Sequence, residues 1–368
     1  MGPVCEFGGC AGGCRVFRLD RYVGGAVLNA ILLVLLILVG LDAVAAFIDE
    51  SDNISQSYSF IDVCWYVLLT LPGRVYEFIP FAALIGCLIG LGQLASTSEL
   101  VVMRSAGVSI GRLVWVVMKP TLMVALAGFL IGEFLAPRFE QLAQSGRAIA
   151  QNPGQGVAGR YGIWHREANT FLHFNALEAD GVVYGVTLLQ FDNAQRLVSA
   201  LGARSGVYQG DHWRLETVNK TDFTSWETRR SSLDSLRWDT NVTPQLLTME
   251  VVSPDKLPLA DLYRYSRYLM QQGLNADDFE LAMWRKLLQP LAVSGLVLVA
   301  IAFIFGPLRD GTMGLRIFAG VIVGIVFRTS QDLLGPASLV FGFSPLYAAL
   351  VPIVVCLLMG AALLSRAR

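Results

Sequence analysis

Six apolar stretches, each long enough to cross a bilayer as a helix, constrain this chain more than any other feature. A helix covers the hydrocarbon core with about 20 residues and satisfies its own backbone there. The first stretch, about Tyr22 to Ile48, contains Ile31 to Val39 without one polar side chain. The second ends near Ala95, which sets Arg74 and Glu77 near its far mouth; Pro72 and Pro80 are expected to bend it. The others run from about Leu113 to Ala136, Trp284 to Phe305, Leu315 to Leu334 and Leu346 to Leu364.

Charge is scarce and unevenly placed. The chain is 54% hydrophobic and 15% charged, where a soluble domain carries about 25% charge. Of its 57 charged residues, 31 lie between Pro137 and Glu280. The same block holds His165, His173 and His212. It also contains runs of Val, Phe, Tyr, Trp and Leu punctuated by Gly, Asn and Asp: Arg160 to Arg166, Thr170 to Asn175, Val182 to Asp192, Leu197 to Tyr208 and Trp213 to Thr217. Such runs predict short strands of a sandwich or roll. Gln151 to Gly159 reads as the entering loop, and Leu259 to Met270 as a helix leading back to the membrane.

Basic residues orient the spans. Arg15, Arg18, Arg21, Arg104, Arg112, Lys119, Arg309, Arg316, Arg366 and Arg368 fall on one side. The opposite short loops, Asp49 to Phe60 and Gly335 to Pro345, contain no Lys or Arg. Both termini are therefore expected in the cytoplasm and the central block in the periplasm. The expected fold is an α-helical membrane protein with six transmembrane helices plus an all-β periplasmic domain, a sandwich or roll. Its divisions are 1–18, an N-terminal extension expected to be disordered; 19–136, the first three spans; 137–280, the β domain with its linkers; and 281–368, the last three spans.

Several function classes are excluded. A net charge of −1 offers no basic surface for nucleic acid. There is no phosphate-binding G-x-x-x-x-G-K-[ST] loop, so this chain is expected to bind no ATP, and it lacks H-E-x-x-H and G-x-S-x-G. Cys5, Cys10 and Cys14 lack a fourth ligand nearby, so no metal and no cofactor are expected on this chain.

Ala95 to Gly107 is the most informative segment. Ser98 is placed to cap a short helix beginning at Glu99, and Gly107 to end it in a left-handed turn. Leu100, Val101, Val102 and Met103 make it strongly apolar. Two readings are open: a connector resting on headgroups, or a coupling helix seated in a partner's groove. Arg328 and Asp332 stand at i,i+4 in the fifth span. They form either a snorkelling local pair or part of a cavity wall. Asp42 and Glu133, near span ends, carry the same alternatives. Asn29 and the Gly86-x-x-x-Gly90 spacing read as helix-packing features.

In that topology, five stretches recur in order: Leu19-Asp-Arg-Tyr22, Ser98-Glu-Leu-Val-Val-Met-Arg-Ser-Ala-Gly107, Gly132-Glu133 with Ala136-Pro137, Phe305-Gly-Pro-Leu-Arg309, and Gln331-Asp-Leu-Leu-Gly-Pro336. They make the chain resemble the LptF/LptG permeases of lipopolysaccharide export, on the LptG side, from about Leu19 to the end. The resemblance implies a transporter subunit and not an enzyme. It implies an LptF-type partner permease, a dimeric LptB-type ATPase holding ATP and Mg, an LptC-type bitopic protein and a periplasmic bridge protein. It implies ATPase contacts at Glu99, Leu100, Val102, Met103, Arg104 and Gly107, with Glu99 as the charged anchor. The first and fifth spans would gate a lipid cavity against the partner permease, and the periplasmic domain would be jellyroll-like, at the start of a bridge toward the outer membrane. One departure stands out: Ala46-Phe-Ile-Asp-Glu-Ser-Asp52 has no basic residue for lipid phosphates. Arg74, Arg138, Arg147 or Arg328 would then serve, beside Asp42, Glu133 and Asp332 in the cavity. The rival expectation is an ATPase-coupled mechanotransmission or scaffold protein that moves no lipid itself.

Overall fold

The computed structural model describes residues 11–54, 58–151, 163–167, 169–174, 176–177, 182–223, 227–240, 243, 253–271, 275–306 and 311–366. Its helices are α1 (Ala11–Ser51), α2 (Phe60–Ser96), α3 (Glu99–Ser105), α4 (Ile110–Leu130), a π turn (Ile131–Leu135) running into α5 (Ala136–Gln151), α6 (Leu259–Gln271), α7 (Asp277–Phe305), α8 (Met313–Phe341) and α9 (Pro345–Arg366). Six helical segments among the described residues are long and apolar enough to span a bilayer. With the β domain they make this an α-helical membrane protein of the expected class.

Most boundaries lie beyond the expected ones. Apolar composition marks where a helix sits in lipid, not where its hydrogen-bond ladder stops. α8 runs on to Phe341, through Gly335 and Pro336, so most of the loop expected from Gly335 to Pro345 is helix. α1 begins at Ala11, inside the stretch expected to be disordered; residues 1–10 lie outside the described residues. Most of the entering loop, 152–159, also lies outside them, as does Arg309.

The chain divides into two compact units. One comprises residues 1–45, 71–135 and 281–368. Its core is built around α2 and α7, from Ala82, Leu84, Leu88 and Leu91 on one and Val293, Val297, Ala300 and Ile301 on the other. α1 packs on α2 at the Gly86/Gly90 pair. A Cβ on Gly86 would stand 2.5 Å from the Ile31 Cα, and one on Gly90 3.0 Å from that of Val27. Small residues thus allow backbone contact where lipid offers no hydrophobic drive for association. α1 and α8 keep long apolar faces exposed, including Leu33, Leu36 and Leu41 on one and Phe318, Ile325 and Val326 on the other.

The second unit comprises residues 46–70 and 136–280. Its sheet has β1 (Ile163–Glu167), β2 (Thr170–Phe174), β3 (Ala176–Leu177), β4 (Val182–Phe191), β5 (Leu197–Tyr208), β6 (Trp213–Phe223) and β7 (Thr228–Trp238). All neighbours pair antiparallel in the order β1-β2-β4-β5-β6-β7, with short β3 also on β4. Among the described residues, the strands follow one another as a meander. β6 continues past Thr217 and β7 was not anticipated, because Lys220, Asp222 and the Arg229–Ser232 run look solvated, as exposed strands do.

One irregularity curls this sheet. Gly185, Arg204, Thr217 and Asp234 form a line across β4 to β7 at which the pairing skips one residue on each strand. Gly185 and Thr217 have φ of 62° and 53°. The buried side chains change parity across the line: Val183 then Val186 and Leu188, Leu215 then Val218. Both sets join one core with Phe174, Leu201 and Trp213. The extra twist of such irregularities lets one face wrap its own core.

Candidate functional site

α3 sits between α2 and α4. Its start departs from the expected cap: Ser98 is left-handed (φ 61°) and makes no side-chain cap bond. Instead the Ser98 carbonyl accepts from Val102 N, and Thr97 Oγ1 donates to Glu99 Oε1 over 3.0 Å. The far end follows expectation. Gly107 is left-handed (φ +88°), Gly107 N donates to the Arg104 carbonyl, and Val108 N donates to that of Met103. Those two bonds close a Schellman turn.

The six residues expected to face the ATPase do not share one face. Leu100 and Met103 are buried in the helical core. They anchor α3 to its own chain, because an amphipathic helix buries the stripe that repeats at i, i+3. Val101, Val102, Arg104 and Gly107 are exposed, and Glu99 is half-buried.

The ionisable residues of the helical unit form interhelical pairs. Asp42 on α1 pairs with Arg74 on α2. Arg328 on α8 reaches Glu77 on α2 and Asp332 one turn along its own helix, each at 3.0 Å. Glu133, inside the π turn, lies 3.6 Å from Lys286 on α7. Their exposures separate their uses. Lys286 and Glu133 are closed off at 5% and 14%, while Arg328, Glu77 and Asp332 stand open at 46–53%. An arginine so exposed and flanked by two carboxylates can still turn a donor toward a phosphate or sugar. The i,i+4 spacing disclosed Asp332 as a partner of Arg328. Nothing in the local pattern of α2 marked Glu77 as the other. Lys286 carries a signal in the sequence, an ionisable residue inside the apolar stretch from about Trp284 to Phe305.

Arg138 and Arg147 belong to the second unit. Arg138 is exposed on α5. Arg147 lies 2.9 Å from Glu50, which is buried, and its guanidinium covers the Tyr66 ring at 5.3 Å. Gln144 donates to Glu140 over 2.9 Å, and Glu140 pairs with Lys256. Burial pushes the Tyr58 phenol well above its ordinary pKa, with the Glu50 carboxylate adding to the shift. The three histidines are dispersed. His165 Nε2 is 3.3 Å from the Tyr268 hydroxyl, His173 packs on Trp164, and His212 Nδ1 is 2.6 Å from Asp211. Among the described residues no His, Cys, Asp and Glu group has metal-binding geometry.

The sequence that builds these elements has relatives among known proteins. A family model described as lipopolysaccharide export system permease LptF/LptG matches residues 21–366. Lipopolysaccharide export system permease protein LptG of Escherichia coli strain K12 is 36% identical over 338 residues, covering 91% of this chain and 94% of its own. The protein of that name from Haemophilus influenzae is 35% identical over 353 residues, covering 95% and 99%. The agreement runs through all six apolar helices and the sheet between them, and so this chain belongs to the LptF/LptG family of lipopolysaccharide export system permeases.

Proposed function

We propose that this chain is one permease subunit of an ATP-driven transporter that extracts lipopolysaccharide from the bacterial inner membrane and passes it to a periplasmic bridge. The observation that carries this reading is the match to export permeases along residues 21–366. The chain makes no bonds in the substrate. It supplies half of a lipid cavity, an LptF-type permease supplies the other half, and a dimeric LptB-type ATPase in the cytoplasm binds ATP and Mg. Both termini and α3 face that ATPase, and the β domain stands in the periplasm beside an LptC-type protein and the bridge. The exposed apolar faces of α1 and α8 support a partner permease there, since they are the least covered of the six spans. The outward Val101, Val102 and Arg104 side chains form the ATPase contact, with the half-buried Glu99 as its charged anchor. Among the basic cavity candidates of the helical unit, Arg328 suits lipid phosphates best, because Arg74 is closed against Asp42 and Arg328 is half open.

The test is reconstitution with the ATPase and the partner permease in lipopolysaccharide-bearing proteoliposomes. ATP is expected to drive lipid onto a soluble acceptor, and Val102→Asp is expected to abolish ATPase co-purification. Release that is independent of ATP, or attachment that ignores Val102→Asp, would overturn the reading.

A further inference from the structure

A buried arginine at one end of the helical unit is left unused by the pairs described above. Arg316, in the first turn of α8, is only 3% exposed. Its Nη1 donates over 2.7 Å to the Gly92 carbonyl of α2. For α8 this is the unfavourable place for a cation, because the helix dipole is positive at its N-terminus. For α2 it is the favourable one. Gly92 lies in the last turns of α2, which ends at Ser96, where the dipole is negative. The charge therefore serves the neighbouring helix and ties α8 to α2.

Gly92 is shaped for that tie. A Cβ there would meet Arg316 Nη1 at 3.1 Å and its Cδ at 3.2 Å. Beyond Gly92 the chain reaches α3 through a stiff joint. Ser96 Oγ donates to the Gln93 carbonyl over 2.8 Å, Thr97 N to the same carbonyl over 3.1 Å, and Ser98 N to that of Ala95 over 3.1 Å. α3 begins at the next residue, Glu99, with Leu100 and Met103 set into the core. A displacement of α3 thus reaches the end of α2 without a slack segment to absorb it.

We infer that Arg316 is a positioning residue that passes the movement of α3, through the last turn of α2, into α8. The inference rests on the proposed ATP-driven export and adds the route by which the span carrying Arg328 is moved. Arg316 touches neither nucleotide nor lipid in this account.

The experiment uses the full complex in proteoliposomes with Arg316→Gln, Arg316→Lys and Gly92→Ala. The first two keep a donor but lose the fork or the reach of the guanidinium. Gly92→Ala displaces the flexible end of Arg316 and tests the tie with little risk to folding. Three quantities are read: ATPase attachment, ATP turnover, and lipid released per ATP. A fourth is the nucleotide-dependent change in distance between spin labels at Ser105 and Phe318, both exposed. Coupling between two sites is typically worth 5–150-fold, so lipid per ATP is expected to fall about tenfold with attachment and turnover kept. The Phe318 label should no longer follow nucleotide. Unchanged lipid per ATP in all three variants would overturn the inference, and so would a proportional loss of turnover and export, which marks a structural role only. If the unmodified complex exports no lipid, the parent reading fails instead.

Discussion

The Lys286–Glu133 pair gives the sharpest quantitative expectation. The two groups lie 3.6 Å apart, 5% and 14% exposed, between α7 and the π turn that follows α4. Removing one partner takes the nearest counter-ion from the other buried charge, and breaking a buried pair in this way costs about 3–5 kcal/mol. Replacing both with apolar residues of similar volume removes the attraction and both desolvation penalties together, which is often neutral or stabilising by about 1–4 kcal/mol. Lys286→Met and Glu133→Leu should each destabilise the protein strongly, and the double variant should recover most or all of the loss. The assay is a double-mutant cycle on reversible unfolding in mixed micelles, with the interaction read as the departure from additivity. Single losses below about 0.5 kcal/mol, or costs that simply add, would refute the account, because values that small belong to exposed pairs.

Two further outcomes follow from the second unit. The Tyr58 pKa is raised in the folded state, so the stability it contributes is complete below the unfolded value of about 10 and is lost as pH climbs from there toward the folded pKa. Denaturation midpoints should fall with pH above about 10, and Tyr58→Phe should remove that part of the slope. Thr217 holds a left-handed backbone (φ 53°), a conformation that costs a side-chain-bearing residue about 1–2 kcal/mol. Thr217→Gly should therefore stabilise the sheet by about 1 kcal/mol in thermal or chemical unfolding, and a clear loss would show that the Thr side chain matters more than the strain.

Legibility in the sequence tracked how local each cause was. Ser98 shows the limit of a local rule: its residue type suits an N-cap, but the joint from α2 places it in a left-handed conformation, where its side chain makes no cap bond. Leu100 and Met103 show the same limit for surfaces. Their apolar character was evident, but whether it met a partner or this chain's own core depended on the register of α3 against the other helices.

By itself the sequence determined that the chain crosses a membrane six times around a polar β block, contains no G-x-x-x-x-G-K-[ST] loop, and keeps a short helix between its second and third spans. Those properties follow from transfer free energies and backbone preferences, which sum over neighbouring residues. Only the tertiary structure decided which charges meet: Arg328 with Glu77, Glu133 with Lys286, and Arg316 with the Gly92 carbonyl. Such pairings join residues far apart in the chain, and distance and burial, which no local pattern encodes, set their strength.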